Sequence, residues 1–146
     1  MLLLAATALV LMVASGMALA IDKTCRDFCK GTNGADTLIG TNKDNTILGE
    51  GGADKIIGKG GGDHLSGDKG NDRVEGGSGD DHVDGDEGND YLVGGPGRDR
   101  IASGPGADLI KSKDGYKDSV DCGDGTEDRV IPDKLDVLND CERVLN

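Results

Sequence analysis

GDKGNDRVE-GGSGDDHVD-GDEGNDYLV, residues 67–93, decides how this chain folds. Each block of nine opens on glycine and carries a second glycine at its fourth place. An aspartate stands sixth (Asp72, Asp81, Asp90) and an aliphatic residue eighth (Val74, Val83, Leu92). The frame runs outward in both directions, with blocks beginning at Gly31, Gly40, Gly49, Gly58, Gly67, Gly76, Gly85, Gly94 and Ser103. The fourth residue is glycine in every block except the second, which has Lys43. The sixth is Asp36, Asn45, Asp54, Asp63, Asp72, Asp81, Asp90, Asp99 and Asp108. The eighth is aliphatic throughout, from Leu38 and Ile47 to Ile101 and Ile110. A flexible glycine-rich linker has no reason to hold the sixth and eighth places fixed.

Each place has its own physical cause. Residues seven to nine suit a short strand whose middle side chain alone points inward, because successive side chains alternate faces. Most seventh places are polar (Thr37, Thr46, Lys55, His64, Arg73, His82, Arg100), as an outer face requires. Glycines at places one and four let the chain turn through positive φ and leave their carbonyls approachable. Two blocks then complete one coil of about eighteen residues, which puts blocks two apart above one another at about 4.8 Å.

That stacking makes two columns of acids. One holds Asp36, Asp54, Asp72, Asp90 and Asp108; the other holds Asn45, Asp63, Asp81 and Asp99. Carboxylates this close repel unless a cation lies between them. Carboxylate and carbonyl oxygens together form the hard, all-oxygen cage that calcium takes readily and magnesium resists.

The blocks resemble the nonapeptide G-G-x-G-x-D-x-U-x of RTX, or haemolysin-type, calcium-binding repeats over residues 31–111. The resemblance implies an all-β fold, a right-handed parallel β-roll, with calcium ions between successive loops on each edge. It implies carboxylate ligands at Asp36, Asp54, Asp63, Asp72, Asp81, Asp90, Asp99 and Asp108. Carbonyl ligands would come from the fourth-place glycines Gly52, Gly61, Gly70, Gly79, Gly88 and Gly97. The second glycine of the motif is replaced by Glu50, Lys59, Asp68 and Asp86. Block 40–48, with Lys43 and Asn45, departs furthest. Five loops in one column and four in the other leave room for at most about seven Ca2+ ions in the regular repeats.

Composition agrees. The 146 residues include 26 Gly, two Tyr, one Phe and no Trp, with a net charge of −12. Such an acidic chain without a basic stripe is expected to bind no nucleic acid. Residues 1–20, MLLLAATALVLMVASGMALA, carry no charge and end in Ala18-Leu19-Ala20. They read as a secretory signal peptide cleaved after Ala20, although no Lys or Arg precedes the apolar run. An uncleaved leader anchored in a membrane is the alternative. Residues 21–30 are expected to form an N-terminal cap, and 112–146 to hold irregular repeats and a C-terminal cap.

Four cysteines lie outside the repeats, an even count that suits an oxidising compartment and a secreted, extracellular protein. Zinc binding is the competing use, but paired CxxC elements are absent. Bridged Cα atoms lie within about 7 Å, whereas five coils separate the two ends by about 20 Å. Cys122 should therefore pair with Cys141 and Cys25 with Cys29. The apolar ninth places Ile39, Leu48 and Ile57 are expected to pack under the N-terminal segment or to dock a partner.

Past residue 111 the register slips. Asp118, Asp128, Asp133, Asp136 and Asp140 either bind metal or stand as solvated acids on the cap, and the missing glycine pattern favours the second. His64 and His82, eighteen residues apart at place seven, offer two nitrogens to a transition metal but no third ligand, which favours an inert pair. No nucleophile elbow, P-loop or dinucleotide fingerprint is present, and a narrow roll offers no pocket. The chain therefore reads as no enzyme, but as an extracellular calcium-binding module that folds on binding Ca2+. The alternative is an accessory adhesion or targeting module of a secreted enzyme or toxin system, binding a polysaccharide, another polymer or a cell surface.

Overall fold

A computed structural model describes residues 20–145; the leader lies almost wholly outside them. The described residues form no helix, so none is long and apolar enough to cross a membrane. Fifteen short strands alternate between two sheets. The eight-stranded sheet holds β1 (Asp22–Thr24), β3 (Thr37–Ile39), β5 (Lys55–Gly60), β7 (Arg73–Ser78), β9 (Tyr91–Val93), β11 (Leu109–Lys111), β13 (Arg129–Ile131) and β15 (Arg143–Val144). The seven-stranded sheet holds β2 (Phe28–Lys30), β4 (Thr46–Leu48), β6 (His64–Ser66), β8 (His82–Asp84), β10 (Arg100–Ala102), β12 (Ser119–Asp121) and β14 (Val137–Asn139). Every pairing is parallel, and Val74 lies opposite Ile56 and Leu92, one coil apart in sequence.

This is a parallel β-solenoid of two facing sheets, as the nine-residue period requires. Its interior is one side chain deep. The eighth residues Leu38, Ile47, Ile56, Leu65, Val74, Val83, Leu92, Ile101 and Ile110 are all buried, and Val120 and Val130 extend the rows. Each contributes about 1.5–3 kcal/mol on burial.

The register slip past residue 111 leaves the strands in place. Ile101 pairs with Val120 and Ile110 with Val130, so the extra residues are taken up in the turns. Both expected disulfides form, Cys25–Cys29 and Cys122–Cys141. The N-terminal segment does not lie over Ile39, Leu48 and Ile57. It extends both sheets edgewise, with Thr24 beside Ile39 and Lys30 beside Leu48. The half-burial of those three residues comes from the rungs above and below, because a solenoid covers its outer side chains only laterally.

Candidate metal centre

The sixth residue of each block sits where turn becomes strand, and Asp36, Asn45, Asp54, Asp63, Asp72, Asp81, Asp90, Asp99 and Asp108 are all at most 3 % exposed. Their orientation repeats. In the regular coils, the Oδ1 of each aspartate accepts the backbone N–H of the sixth residue one coil earlier. Asp54 donates to Asp72 at 2.7 Å, Asp63 to Asp81 at 2.8 Å, Asp72 to Asp90 at 2.8 Å and Asp81 to Asp99 at 2.9 Å. This ladder turns each carboxylate along the solenoid axis and uses up one of its oxygens.

The other oxygen has no protein partner. Among the described residues, the Oδ2 atoms of Asp54, Asp63, Asp72, Asp81, Asp90, Asp99, Asp108, Asp118 and Asp128 are buried without any hydrogen bond. A buried, unpaired carboxylate oxygen is costly, and its repetition along two columns demands a counter-charge.

The first-place glycines provide the space. A Cβ on Gly67 would lie 2.5 Å from the Asp72 Oδ2 and 2.7 Å from the carbonyl oxygen of Gly85 on the next coil. Gly49, Gly76 and Gly85 repeat this arrangement with Asp54, Asp81 and Asp90, and Gly58 with Asp63. Each place is a cradle of carboxylate and carbonyl oxygen that any side chain would fill. The fourth-place glycines Gly52, Gly61, Gly70, Gly79, Gly88 and Gly97 line the rims at positive φ. Gly70 shows why the residue is fixed: at φ 138° a Cβ would run into the carbonyl of Gly52. Buried oxygens of one hard type, set around a cradle only glycine leaves open, fit calcium.

Electrostatics point the same way. Burial pushes the carboxyls of Asp54, Asp72, Asp81 and Asp118 up to about 6. It pushes Asp90 and Asp99 to about 7, and raises Asp63 and Asp108 as well. The N–H from the previous coil opposes the rise in every case, and neighbouring carboxylates add to it in most. Neutralisation by a proton or a cation is what these groups lack.

The ends of the columns differ from the middle. Asp36 is already satisfied, its Oδ1 accepting the N–H of Ile21 at 2.5 Å and its Oδ2 the N–H of Thr32 at 2.5 Å. Asn45 accepts from the Thr41 N–H at 2.6 Å and donates its amide to the Arg26 carbonyl at 2.6 Å. At the other end, Asp118 and Asp128 are buried in the columns, not solvated on a cap. They accept the N–H groups of Asp99 and Asp108, both at 2.9 Å. Counting two residues back from Val120 and Val130 would have found them, because the insertion lies between glycine and acid. Their blocks, like that of Asp108, start with a side chain (Ser112, Cys122 and Ser103) where the middle blocks have glycine.

Asp136 is half-buried and accepts from Asp118, Ser112 and Asp133. Asp133 caps the turns at Gly115 and Leu135, and Asp140 is exposed. Asp114 brings a third carboxylate beside Asp99 and Asp118, their oxygens within 4.8 Å of one another. His64 and His82 stand on the outer face, directly after the rim aspartates Asp63 and Asp81, and Asp84 joins them.

An all-parallel two-sheet solenoid with acid-lined, glycine-walled rims defines a class, the metal-binding β-rolls. Residues 30–65, 57–92 and 84–115 match the model of the RTX calcium-binding nonapeptide repeat (4 copies). The matched region spans well over half of the chain, and the protein belongs to that family. Calcium is thereby its ion and the β-roll the scaffold that binds it. No curated protein and no solved structure matches the chain.

Proposed function

We propose that this chain is a secreted, non-catalytic module whose β-roll forms when calcium fills its two rims. One observation carries the reading: a column of buried Oδ2 atoms on each rim, every one without a protein donor. The ligating set begins one coil later than the motif alone suggests. Asp54, Asp63, Asp72, Asp81, Asp90 and Asp99 combine an orphan oxygen with a first-place glycine, so six ions, one per cradle, are proposed. Asp36 is excluded by its Thr32 donor. Carbonyls near the fourth-place glycines Gly52, Gly61, Gly70, Gly79, Gly88 and Gly97 complete the shells. Two disulfides and the apolar leader support an oxidising, extracellular setting, where calcium modules bind with dissociation constants of roughly 10⁻⁴ to 10⁻³ M.

Calorimetric titration of the chelator-stripped chain, with circular dichroism in parallel, tests this. The β signal should grow cooperatively as about six ions bind. A spectrum that is the same with and without chelator rejects it.

A second reading, an adhesion module for an anionic polymer or cell surface, is favoured by one face of the eight-stranded sheet. Lys55, Arg73 and Tyr91 are consecutive rungs there, with the Arg73 guanidinium 4.4 Å and the Lys111 ammonium 5.1 Å from the Tyr91 ring centre. A polysaccharide pulldown in calcium, compared with Arg73→Ala and Lys111→Ala, decides it: equal retention of all three removes the reading.

A further inference from the structure

The outer face of the seven-stranded sheet brings together the only two histidines of the chain. His64 on β6 and His82 on β8 are register partners, with ring centres 4.8 Å apart and planes 9° from parallel. Asp84 lies two residues beyond His82 on the same face, and its Oδ2 is 3.1 Å from the His82 Nε2. One ligand atom from each of the three lies within 4.8 Å of the others. The intervening Leu65 and Val83 point into the core, so the cluster faces away from the interior.

We propose that His64, His82 and Asp84 form a site for one transition-metal ion of the zinc class, separate from the calcium rims. Two imidazole nitrogens and a carboxylate oxygen are a donor set for zinc, copper or nickel, whereas calcium takes oxygen ligands. Around tetrahedral zinc, with bonds of about 2.0–2.2 Å, ligand atoms sit about 3.4 Å apart. His82 and Asp84 already stand near that separation. The His64 nitrogen lies within 4.8 Å of both, and its exposed side chain has to turn from its stack on His82 to close the rest of the gap.

Neighbouring charge is mixed. Arg100, the next rung after His82, opposes a cation. Asp86 adds negative charge beside Asp84 and is held by the Ser66 hydroxyl at 2.7 Å. The open face leaves a fourth coordination position to water or to a donor from another molecule. An ion here bridges β6 and β8, and so clamps two successive coils from outside.

The test titrates the full chain, saturated with calcium, with Zn2+ while the imidazole proton resonances are followed. With only two histidines present, both sets of signals should shift together and saturate at one equivalent. His64→Ala and His82→Ala should each remove the saturable shift, and Asp84→Asn should weaken binding about tenfold or more. All three side chains face outward, so calcium-induced circular dichroism should stay as in the parent chain. Zn2+ uptake that leaves the imidazole signals in place, or persists in the His64→Ala/His82→Ala double variant, overturns the site. A second measurement needs no variant: Cu2+ bound to the parent chain should show hyperfine coupling to two imidazole nitrogens, and coupling to one or none overturns it too.

Discussion

The first two nonapeptide blocks and the blocks that follow share one frame but neutralise their sixth residue differently. In residues 31–48 the second residue is Thr32 or Thr41, held at ordinary φ, and its N–H points into the side chain of Asp36 or Asn45. In the blocks of residues 49–111 the second residue is left-handed, as at Glu50, Lys59, Asp68, Gly77, Asp86, Gly95 and Gly104. In those blocks the carboxylate Oδ2 has no donor. The same strand, core residue and stacking distance thus serve two ends. The early coil closes on protein hydrogen bonds, whereas the later coils leave oxygens that only an external charge can satisfy. On the proposed function, the early coil gives the calcium-bound coils a template.

The widest test of that contrast removes one carboxylate from each rim in the middle. Asp72→Asn with Asp81→Asn should lower the calorimetric ion count by two. At millimolar calcium, with dissociation constants near 10⁻⁴ M, the loss of stability should be about 3 kcal/mol. Asp36→Asn should leave the ion count unchanged, since the Thr32 and Ile21 donors already occupy that carboxylate. Equal losses of ions from both variants would erase the distinction between the two regions.

Protons probe the same difference more gently. Burial holds Asp54, Asp72 and Asp81 near 6 and Asp90 and Asp99 near 7 in the folded chain, above their unfolded value. Acids with raised pKa take up protons on folding, so the calcium-free roll is most stable below about pH 4 and loses that stability as pH rises to about 7. Chelator-stripped protein should therefore show more β signal at pH 5 than at pH 8. Calcium affinity should rise with pH over the same interval, because at the lower end the ion has to displace those protons. A calcium-free β signal that grows with pH would contradict the burial of these groups. Asn45 carries no charge and adds nothing to this dependence.

The reach of the sequence follows from what each feature depends on. The solenoid, its period and its core are visible because the eighth residue is aliphatic in every block and strands alternate strictly. The disulfides follow from the length of the roll. Which acids of residues 31–111 lack donors goes instead with the φ of the second residue, and Glu50, Lys59, Asp68 and Asp86 adopt a left-handed value against the preference of their type. The clue was the β-branched side chain of Thr32 and Thr41, which resists positive φ. Asp118 and Asp128 were hidden by a turn insertion, which the strands do not register. Asp84 stands at a ninth place, where the motif marks no residue type, although that place shares a face with the seventh and so with His82.

Asn45→Asp asks whether a carboxylate alone converts an early block into a late one. The substituted oxygen would face the Arg26 carbonyl that the amide now reaches at 2.6 Å. The Thr41 N–H would still occupy the other oxygen. Stability in calcium should drop by about 1–3 kcal/mol with no gain in bound ions. A gained ion would mean that charge, not the second residue, sets the two regions apart.

The smallest effect comes from the second residue itself. Lys59 is left-handed at φ 85°, which costs a residue with a Cβ about 1–2 kcal/mol. Lys59→Gly relieves that strain but adds about 0.5–1 kcal/mol of unfolded-state entropy, so the net gain should be about 0.5–1 kcal/mol. Thr41 already sits at ordinary φ, so Thr41→Gly has no strain to relieve and should cost about 0.5–1 kcal/mol. The two substitutions both place glycine at the second residue and lie one coil apart, yet thermal melts in saturating calcium should move in opposite directions. Melts that move the same way would show that the left-handed turn is not what separates the late blocks from the early ones.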